Sequence, residues 1–171
     1  MISGKMYSGK DTAADFLVKN YNFKRFAFAD ILKDEVSAIF GINRELMDTV
    51  LGKKSIDAKT GCTVREILIA HGNQRRSMNE NYWVDSIIDK VRSDGTKNIV
   101  ISDFRFPNEF IQIRNAFHPL KIDTWRINRL LPTSACHLSV TETSLDSFDF
   151  SKEIENNGTI LQLHEKITKF I

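Results

Sequence analysis

A glycine-rich stretch at residues 4–12, GKMYSGKDT, constrains the fold of this chain more than any other feature. Gly4 and Gly9 let the backbone turn with its N–H groups pointing inward, and apolar residues at helical spacing over 13–17 predict a helix that starts at the loop. A strand, a glycine loop and a helix in this order form the arrangement of phosphate-binding loops. The sequence therefore predicts a fold built around such a loop, after a very short first strand at residues 1–3.

The residues of the loop suit a nucleotide at most positions. Lys10 can reach the outer phosphates of a nucleotide, and the positive end of the following helix attracts the same groups. The strict pattern GxxxxGK[ST] fails at its last position, where Asp11 replaces the hydroxyl residue and Thr12 follows. A glycine turn followed by an aspartate that stabilises the start of a helix explains the same residues without a ligand. Both interpretations stay open on these residues alone.

Strands and helices alternate along the rest of the chain, which predicts an α/β fold with right-handed crossovers and a parallel sheet with helices on both faces. The run NIVIS at residues 98–102 is continuously apolar and predicts a central strand buried on both faces. Further predicted strands are KRFAFAD, which ends near Phe28, then KIDTWRI and the edge strand FSKEIEN.

The segment between the second and third predicted strands is expected to be helical. Its first helix is capped by Asp30, carries Leu32, Val36, Ile39 and Phe40 on one face, and ends at Gly41. The other expected helices are a short one over 43–51 closed by Gly52, one started by the capping box TVRE at 63–66, one over 82–92 with Trp83 in the core, one with Pro107 in its first turn, and a final amphipathic helix over 159–171.

The composition describes one globular domain over residues 1–171. A net charge of +2 is too small for a general nucleic-acid or membrane binder. We find no signal peptide or membrane span in the sequence and expect a cytoplasmic protein, in the host cytoplasm if it is viral. Cys62 and Cys136 form no CxxC motif, and the 4 histidines add no zinc-ligand spacing, so free thiols and no zinc cluster are expected.

Polar clusters fall where the predicted strands end, which is the edge of a parallel sheet that binds ligands. GKMYSGKD follows the first strand, Ala29 and Asp30 follow the second, and SDFRFPNE follows the third. Asp103 in the last cluster is placed to bind Mg²⁺ directly or through water. It can equally turn the chain or pair with Arg105, and both roles can hold together.

Arginines are frequent on the elements expected around this edge. The guanidinium group matches phosphate oxygens in a bidentate way, so a protein that holds two phosphorylated ligands end to end needs several of them. Ordinary solvated or salt-bridged surface residues are the alternative for each one taken singly. The arginines concerned are Arg65, Arg75, Arg76, Arg105, Arg126 and Arg129.

Several ordered motifs together resemble the deoxynucleoside monophosphate kinases of bacteriophages and related viruses, which belong to the adenylate-kinase-like branch of phosphate-loop proteins. The motifs span nearly the whole chain: SGKDTAADF, FAFADILK, TVREILIAHGNQRR followed by NYWVD, ISDFRFPNE, HLSVTETSLD and FSKEIENNGT. The loop of that family typically reads SGKD, so Asp11 is a family trait in this resemblance. The resemblance implies a three-layer P-loop NTPase fold of the nucleoside monophosphate kinase type.

The resemblance also implies an activity, namely transfer of the γ-phosphoryl group of ATP to a deoxynucleoside monophosphate with Mg²⁺. The acceptor would bind a helical region at about 30–95, and a lid would cover about 128–148 and contain the signature residues His137 and Glu142. The implied ATP-binding residues are Gly4, Lys5, Tyr7, Ser8, Gly9, Lys10, Asp11, Thr12 and Arg126. The implied substrate-binding residues are Ala29, Asp30, Lys33, Arg65, Asn73, Arg76, Asp103 and Arg105. The implied catalytic residues are Lys10, Arg76, Arg105 and Arg129. The implied metal ligands are Asp11 and Asp103.

Some features depart from the family pattern and keep alternatives open. Residues 1–3 give a first strand that is very short unless the chain starts upstream, the spacing from His137 to Glu142 is longer than usual, and the lid is compact. One alternative is a P-loop kinase of another small phosphorylated acceptor, such as phosphomevalonate or dephospho-coenzyme A. Another is a non-catalytic nucleotide-binding module. Stable nucleic-acid binding is disfavoured, and a homodimer is left open.

Overall fold

Parallel strands alternate with helices in the computed structural model, which describes residues 1–130 and 143–171. The prediction of an α/β fold with parallel strands is confirmed. The chain divides into two compact units, Met1–Ala27 with Lys90–Ile171 (unit 1) and Phe28–Asp89 (unit 2). The described strands belong to unit 1, and unit 2 consists mainly of helices. The single kinase domain expected over 1–171 stays a prediction.

Outside residues 43–54, the elements follow one another in the order that the sequence pattern predicts. The strands are β1 Ile2–Ser3, β2 Lys24–Phe26, β3 Ile99–Ile101, β4 Trp125–Asn128 and β5 Lys152–Glu155. The α-helices are α1 Lys10–Tyr21, α2 Phe28–Phe40, α3 Val50–Lys54, α4 Val64–Met78, α5 Tyr82–Asp94, α6 Pro107–Ala116 and α7 Ile160–Thr168, and a 3₁₀ helix, Arg44–Met47, precedes α3.

The described strands of unit 1 form two sets of parallel pairings. β4 lies between β1 and β5, with Ile2 opposite Trp125, and β2 pairs with β3, with Phe26 opposite Ile101. One backbone hydrogen bond joins the two sets, because the N–H group of Phe104 donates to the carbonyl oxygen of Ile2 at 3.1 Å. The segment that follows β3 therefore lies next to β1, and β5 is an edge strand of the set β1, β4, β5, as its sequence predicts.

The core of unit 1 is formed where α1 and α7 pack against the strands. Ala13 and Ala14 are fully buried on α1, and their small side chains let the helix lie close to the sheet. Val100 in β3 is 2% exposed, as expected for the apolar run NIVIS. The other buried residues of this core are Ile2, Leu17, Trp125, Ile127, Ile154, Leu163 and Ile167.

Unit 2 is organised around the pairing of α2 with α4. The predicted capping box starts α4: the N–H of Thr63 donates to Oε2 of Glu66 at 2.8 Å, and the N–H of Glu66 donates to Oγ1 of Thr63 at 3.2 Å. Trp83 is buried as predicted, and its indole N–H donates to the carbonyl oxygen of Gly72 at 3.2 Å. The buried core consists of Val36, Ile42, Met47, Val64, Ile67 and Leu68.

The start and the apolar face of α2 differ from the prediction. β2 already ends at Phe26 and α2 begins at Phe28, so Asp30 lies inside the first turn and does not cap the helix. Ile39 was expected on the buried face but is 54% exposed, whereas Val36 is fully buried. Gly41 follows the helix with a left-handed φ of 69°, as expected for a residue that ends it.

The single helix predicted over 43–51 is wrong. The chain instead forms the 3₁₀ helix and then α3, which starts again because Oγ1 of Thr49 accepts a hydrogen bond from the N–H of Gly52 at 2.9 Å. Gly52 lies within α3 and does not close a helix. A Cβ atom there would lie 2.2 Å from the carbonyl oxygen of Leu46, so the glycine permits close packing of the two short helices.

Candidate functional site

The glycine loop joins β1 to α1, and its backbone turns as the sequence predicts. The N–H of Ser8 donates to the carbonyl oxygen of Lys5 at 3.1 Å, and the exposed Tyr7 has a left-handed φ of 65°. Gly9, with φ 98°, is the N-cap of α1 and offers no side-chain acceptor to the first turn. An anion is a natural acceptor for the N–H groups at such a helix start.

Both loop glycines lie where a side chain does not fit. A Cβ atom on Gly4 would lie 2.3 Å from Oγ of Ser8 and 2.7 Å from the carbonyl oxygen of Ile127 in β4. A Cβ atom on Gly9 would lie 2.4 Å from Nδ2 of Asn156. The loop is therefore packed tightly against the ends of β4 and β5, which fixes its position on unit 1.

Asn156 is a loop contact that the sequence analysis missed. It directly follows β5 and is 6% exposed, and its Nδ2 donates to the carbonyl oxygen of Ser8 at 2.8 Å. Its backbone N–H donates to the carbonyl oxygen of Asn128 at 2.7 Å. The available signal was its place at the end of the predicted strand FSKEIEN, since polar clusters also lie at the ends of the first and third predicted strands.

Asp11 is the acceptor in a chain of charged and polar contacts from α1 to the strands. Its Oδ2 lies 3.4 Å from Nζ of Lys10, and its Oδ1 lies 3.3 Å from the guanidinium of Arg25. Arg25 in β2 also donates through Nε to Oγ of the fully buried Ser102 at 2.7 Å. Arg25, which was not predicted as a site residue, links the loop to the residue before Asp103.

Asp103 and Arg105 lie in the turn between β3 and α6. Asp103 is 9% exposed. The turn is held by Glu109, whose Oε2 accepts hydrogen bonds from the N–H groups of Arg105 at 2.8 Å and Phe106 at 3.1 Å. Glu109 was not predicted, although its position at the third residue of a helix that starts with Pro107 is typical of a capping acid.

Arg126 and Arg129 lie at and after the end of β4. Arg126 donates to the carbonyl oxygen of Leu145 at 2.6 Å, pairs with Asp146 and lies over the ring of Phe150, 5.4 Å from its centroid. Its charge is thus directed at the last residues of the predicted lid. Arg129 is exposed.

The predicted lid, at about 128–148, is described only in part. His137 and Glu142 lie outside the described residues, as does the rest of 131–142. At its start, the N–H of Leu130 donates to Oδ1 of Asn157 at 2.8 Å.

The acceptor-side residues of α2 belong to a charged network in unit 2. Nζ of Lys33 lies 2.8 Å from Oδ1 of Asp48 and 3.7 Å from Oδ1 of Asp30. Arg44 contacts the carboxylates of Asp30 at 3.0 Å, Asp34 at 2.9 Å and Asp48 at 2.6 Å. Hydrogen bonds from Lys33 and then Arg44 lower the pKa of Asp48 to about 2. The network therefore sets two cations against three carboxylates.

A second, more buried cluster is centred on Glu35, near the middle of α2. Glu35 pairs with Arg75, accepts a hydrogen bond from the hydroxyl of Tyr82 at 3.2 Å, and lies 3.4 Å from Nε2 of His71. The guanidinium of Arg75 lies 4.9 Å from the ring centroid of Tyr82. Burial, and then the charge of Glu35 and its hydrogen bond, raise the pKa of Tyr82. Arg75 is therefore a structural partner of Glu35.

For the remaining predicted site residues, the structure gives a position and a degree of burial. Thr12 and Lys5 are half-buried in unit 1, and Ala29 is half-buried in the first turn of α2. On α4, Arg65 and Asn73 are exposed and Arg76 is half-buried. Their assignments stay predictions.

Residues 1–130 and 143–171 contain neither a metal-binding cluster nor a helix that could cross a membrane. No group of at least 3 histidine, cysteine, aspartate or glutamate side chains is arranged to hold a metal ion by itself. In the same ranges, each helix is too short or too polar to cross a membrane.

These observations define an α/β protein in which a glycine loop joins a parallel strand to a helix. No family model matches the chain. The chain is 27% identical over 175 residues to a protein of Ictalurid herpesvirus 1 (strain Auburn) named "Uncharacterized protein ORF77", and the match covers 99% of this chain and 68% of that protein. The similarity is to a viral protein, and its name states no activity.

Proposed function

We propose that this protein is a phosphotransferase with a P-loop NTPase fold of the nucleoside monophosphate kinase type. It would transfer the γ-phosphoryl group of ATP to a deoxynucleoside monophosphate, in the cytoplasm of a host cell. The geometry of the glycine loop is the observation that supports this function most directly. Its capping residue, Gly9, lies at the start of α1, where N–H groups and the helix dipole favour phosphate.

The order of the strands supports a ligand at the same place. β1 pairs with β4, and the carbonyl oxygen of Ile2 in β1 accepts a hydrogen bond from the N–H of Phe104, just after β3. The chain after β1 leads to β2, which pairs with β3, and the chain after β4 leads to β5. Ligands of open parallel sheets bind beyond the carboxyl ends of the strands where the connections change side. The glycine loop directly follows β1 and meets that condition.

The donor site would be formed by unit 1. The loop N–H groups and Lys10 would hold the phosphates, and Arg129 would add charge from beyond β4. The carboxylates of Asp11 and Asp103 and the hydroxyl of Thr12 offer the oxygen ligands that Mg²⁺ prefers, and the phosphates supply further ones. Asp11 already contacts Lys10 and Arg25, so a metal ion bound there would have to share those contacts. When bound, the ion would neutralise charge on the transferring group.

The acceptor would be held by residues of unit 2, namely Asp30, Lys33, Arg65, Asn73 and Arg76. Lys33 is only 15% exposed at its side chain, so it would lose little further solvation on contact with a phosphate. A monophosphate is largely dianionic at neutral pH because its second pKa is about 6, so its oxygen needs no general base. The proposed chemistry is therefore positioning and charge neutralisation, in which Arg76 and Arg105 would orient the groups.

A panel of nucleoside monophosphates with MgATP tests this function, with ADP and the diphosphate as measured products. We expect turnover with at least one deoxynucleotide and a loss of about a hundredfold or more in kcat for Lys10→Ala. Lys19→Ala, an exposed position in the last turn of the same helix, is the matched control and should retain full activity. Full activity of Lys10→Ala would contradict the loop assignment.

The same panel distinguishes the alternatives. Other phosphorylated small molecules are included as extra acceptors. Turnover of these molecules alone would identify the protein as a P-loop kinase with a different acceptor. ATP binding without turnover on any acceptor would favour a non-catalytic nucleotide-binding module. Absence of ATP binding by the wild-type protein would reject both kinds of nucleotide function.

A further inference from the structure

A buried amide side chain at the end of the edge strand β5 holds the glycine loop. Asn156 is 6% exposed, and its Nδ2 donates to the carbonyl oxygen of Ser8 at 2.8 Å across 148 residues of sequence. The residue is anchored on its other side, because its backbone N–H donates to the carbonyl oxygen of Asn128 at 2.7 Å. The position of Ser8 is therefore tied to the ends of both β4 and β5.

This hydrogen bond fixes the orientation of one peptide group in the loop. In a planar trans peptide the carbonyl oxygen and the N–H point in opposite directions. Since Asn156 binds the carbonyl oxygen of Ser8, the N–H of Gly9 must point away from Asn156. That N–H belongs to the N-cap of α1, where anions bind.

The packing around Gly9 prevents the peptide from turning over easily. A Cβ atom on Gly9 would lie 2.4 Å from Nδ2 of Asn156 and 3.6 Å from Cδ2 of Leu163. The amide of Asn156 is thus in close contact with the Cα of Gly9 as well as bonded to Ser8. A glycine at position 9 and an amide donor at position 156 are required by the same geometry.

We propose that Asn156 is a positioning residue for phosphate binding, which aims the N–H of Gly9 into the loop. The inference rests on the proposed nucleotide site but adds a residue that touches neither nucleotide nor acceptor. Substitution of Asn156 should therefore weaken binding of the phosphate chain of ATP. It should leave the affinity for the acceptor unchanged.

The test measures binding of ATP and of inorganic tripolyphosphate by titration calorimetry, together with the KM values for ATP and acceptor. Asn156→Asp keeps the shape of the side chain but removes the donor and places a carboxylate oxygen against the carbonyl of Ser8. We expect about tenfold weaker binding of both probes and a similar rise in KM for ATP, with an unchanged KM for the acceptor. The amide proton of Gly9 should also exchange faster with solvent in the free variant.

Asn157→Asp is the matched control, since it adds the same charge at the next position. Its Oδ1 can still accept the hydrogen bond from the N–H of Leu130, so its affinity for tripolyphosphate should equal that of the wild type. If Asn156→Asp fails to fold by circular dichroism, Asn156→Ser replaces it, because the shorter hydroxyl cannot reach Ser8.

The outcomes separate this inference from the proposed function. If a folded Asn156 variant binds ATP and tripolyphosphate as tightly as the wild-type protein does, the positioning role is overturned and the nucleotide site stays intact. Failure of the wild-type protein to bind either probe would overturn both, and that result needs no variant. An equal rise of both KM values would also overturn the role, since it indicates general loosening of the protein.

Discussion

Different interactions hold the candidate site residues in place in the two units of the molecule. In unit 1 the glycine loop is shaped by backbone torsion angles and by contacts of 2.3–2.7 Å that any Cβ atom would make. In unit 2 the predicted acceptor residues Asp30 and Lys33 belong to a network of ion pairs with Arg44 and Asp48. The loop should therefore be intolerant of small steric changes, whereas the network should respond mainly to charge and pH.

The difference also bears on how each region would meet a phosphate. The loop offers N–H groups whose direction is set before a ligand arrives, so little reorganisation is needed. Lys33 and Arg44 already have carboxylate partners, so a phosphate would have to share or replace those partners. Prearranged donors in unit 1 and competing carboxylates in unit 2 predict tighter binding of the donor's phosphates than of the acceptor's.

Gly9→Ala should have the largest effect. It tests whether backbone torsion and close packing shape the glycine loop of unit 1. The residue has φ 98°, and the new methyl group would lie 2.4 Å from Nδ2 of Asn156. We expect the free energy of unfolding to fall by about 3 kcal/mol, because left-handed strain and a steric overlap act together. ATP affinity should fall by about a hundredfold or more, because the loop has to move. Urea denaturation and calorimetry measure the two changes.

Gly95→Ala separates strain from packing in the same unit. Gly95 has a left-handed φ of 71°, but no atom lies within 4 Å of the position of its Cβ. A loss of about 1 kcal/mol in stability and no change in ATP affinity are expected. Equal losses in the two variants would show that packing against Asn156 adds nothing to the loop.

Glu35→Gln should have the next largest effect and tests the side-chain pairs of unit 2. The carboxylate of Glu35 is 17% exposed, pairs with Arg75 and accepts the hydroxyl hydrogen of Tyr82. Loss of its charge leaves Arg75 poorly compensated, so the free energy of unfolding should fall by about 2 kcal/mol. The pKa of Tyr82 should fall toward its ordinary value, since the charge of Glu35 is the second cause of its rise after burial.

Absorbance titration of tyrosine measures that pKa, and Tyr82→Phe assigns the signal. Glu45→Gln serves as the control, because Glu45 is an exposed acid of the same unit. An unchanged tyrosine titration in Glu35→Gln would remove the electrostatic link between Glu35 and Tyr82. ATP affinity should stay the same in both variants, since the donor loop belongs to unit 1.

The features that could be predicted from sequence are those set by neighbours along the chain. The loop, the start of α1 at Lys10 and the capping box of Thr63 and Glu66 depend on residues at most a few positions apart. Turn chemistry and helix periodicity describe such features well. The parallel direction of the strands likewise follows from the alternation of strands and helices.

The contacts that the sequence analysis missed join distant residues. Arg25 reaches Ser102 across 77 residues, and Asn156 reaches Ser8 across 148. Neither residue type has a local pattern that marks its partner. Gly52 was misassigned for a related reason, because the carbonyl oxygen of Leu46 is close to it only once the two short helices have packed.

The smallest expected effect concerns Asp48 and sharpens the contrast in pH dependence. Its pKa is lowered from 3.8 to about 2 by Lys33 and then Arg44, so its stabilisation is present above pH 3.8 and lost as pH falls toward 2. The carboxylate is 53% exposed, so solvent screening keeps the contribution at about 0.5 kcal/mol. Urea denaturation should show Asp48→Asn slightly less stable than wild type at pH 6, and the difference should vanish near pH 2. A difference that persists at pH 2 would mean that the carboxylate stabilises unit 2 by packing and not by charge.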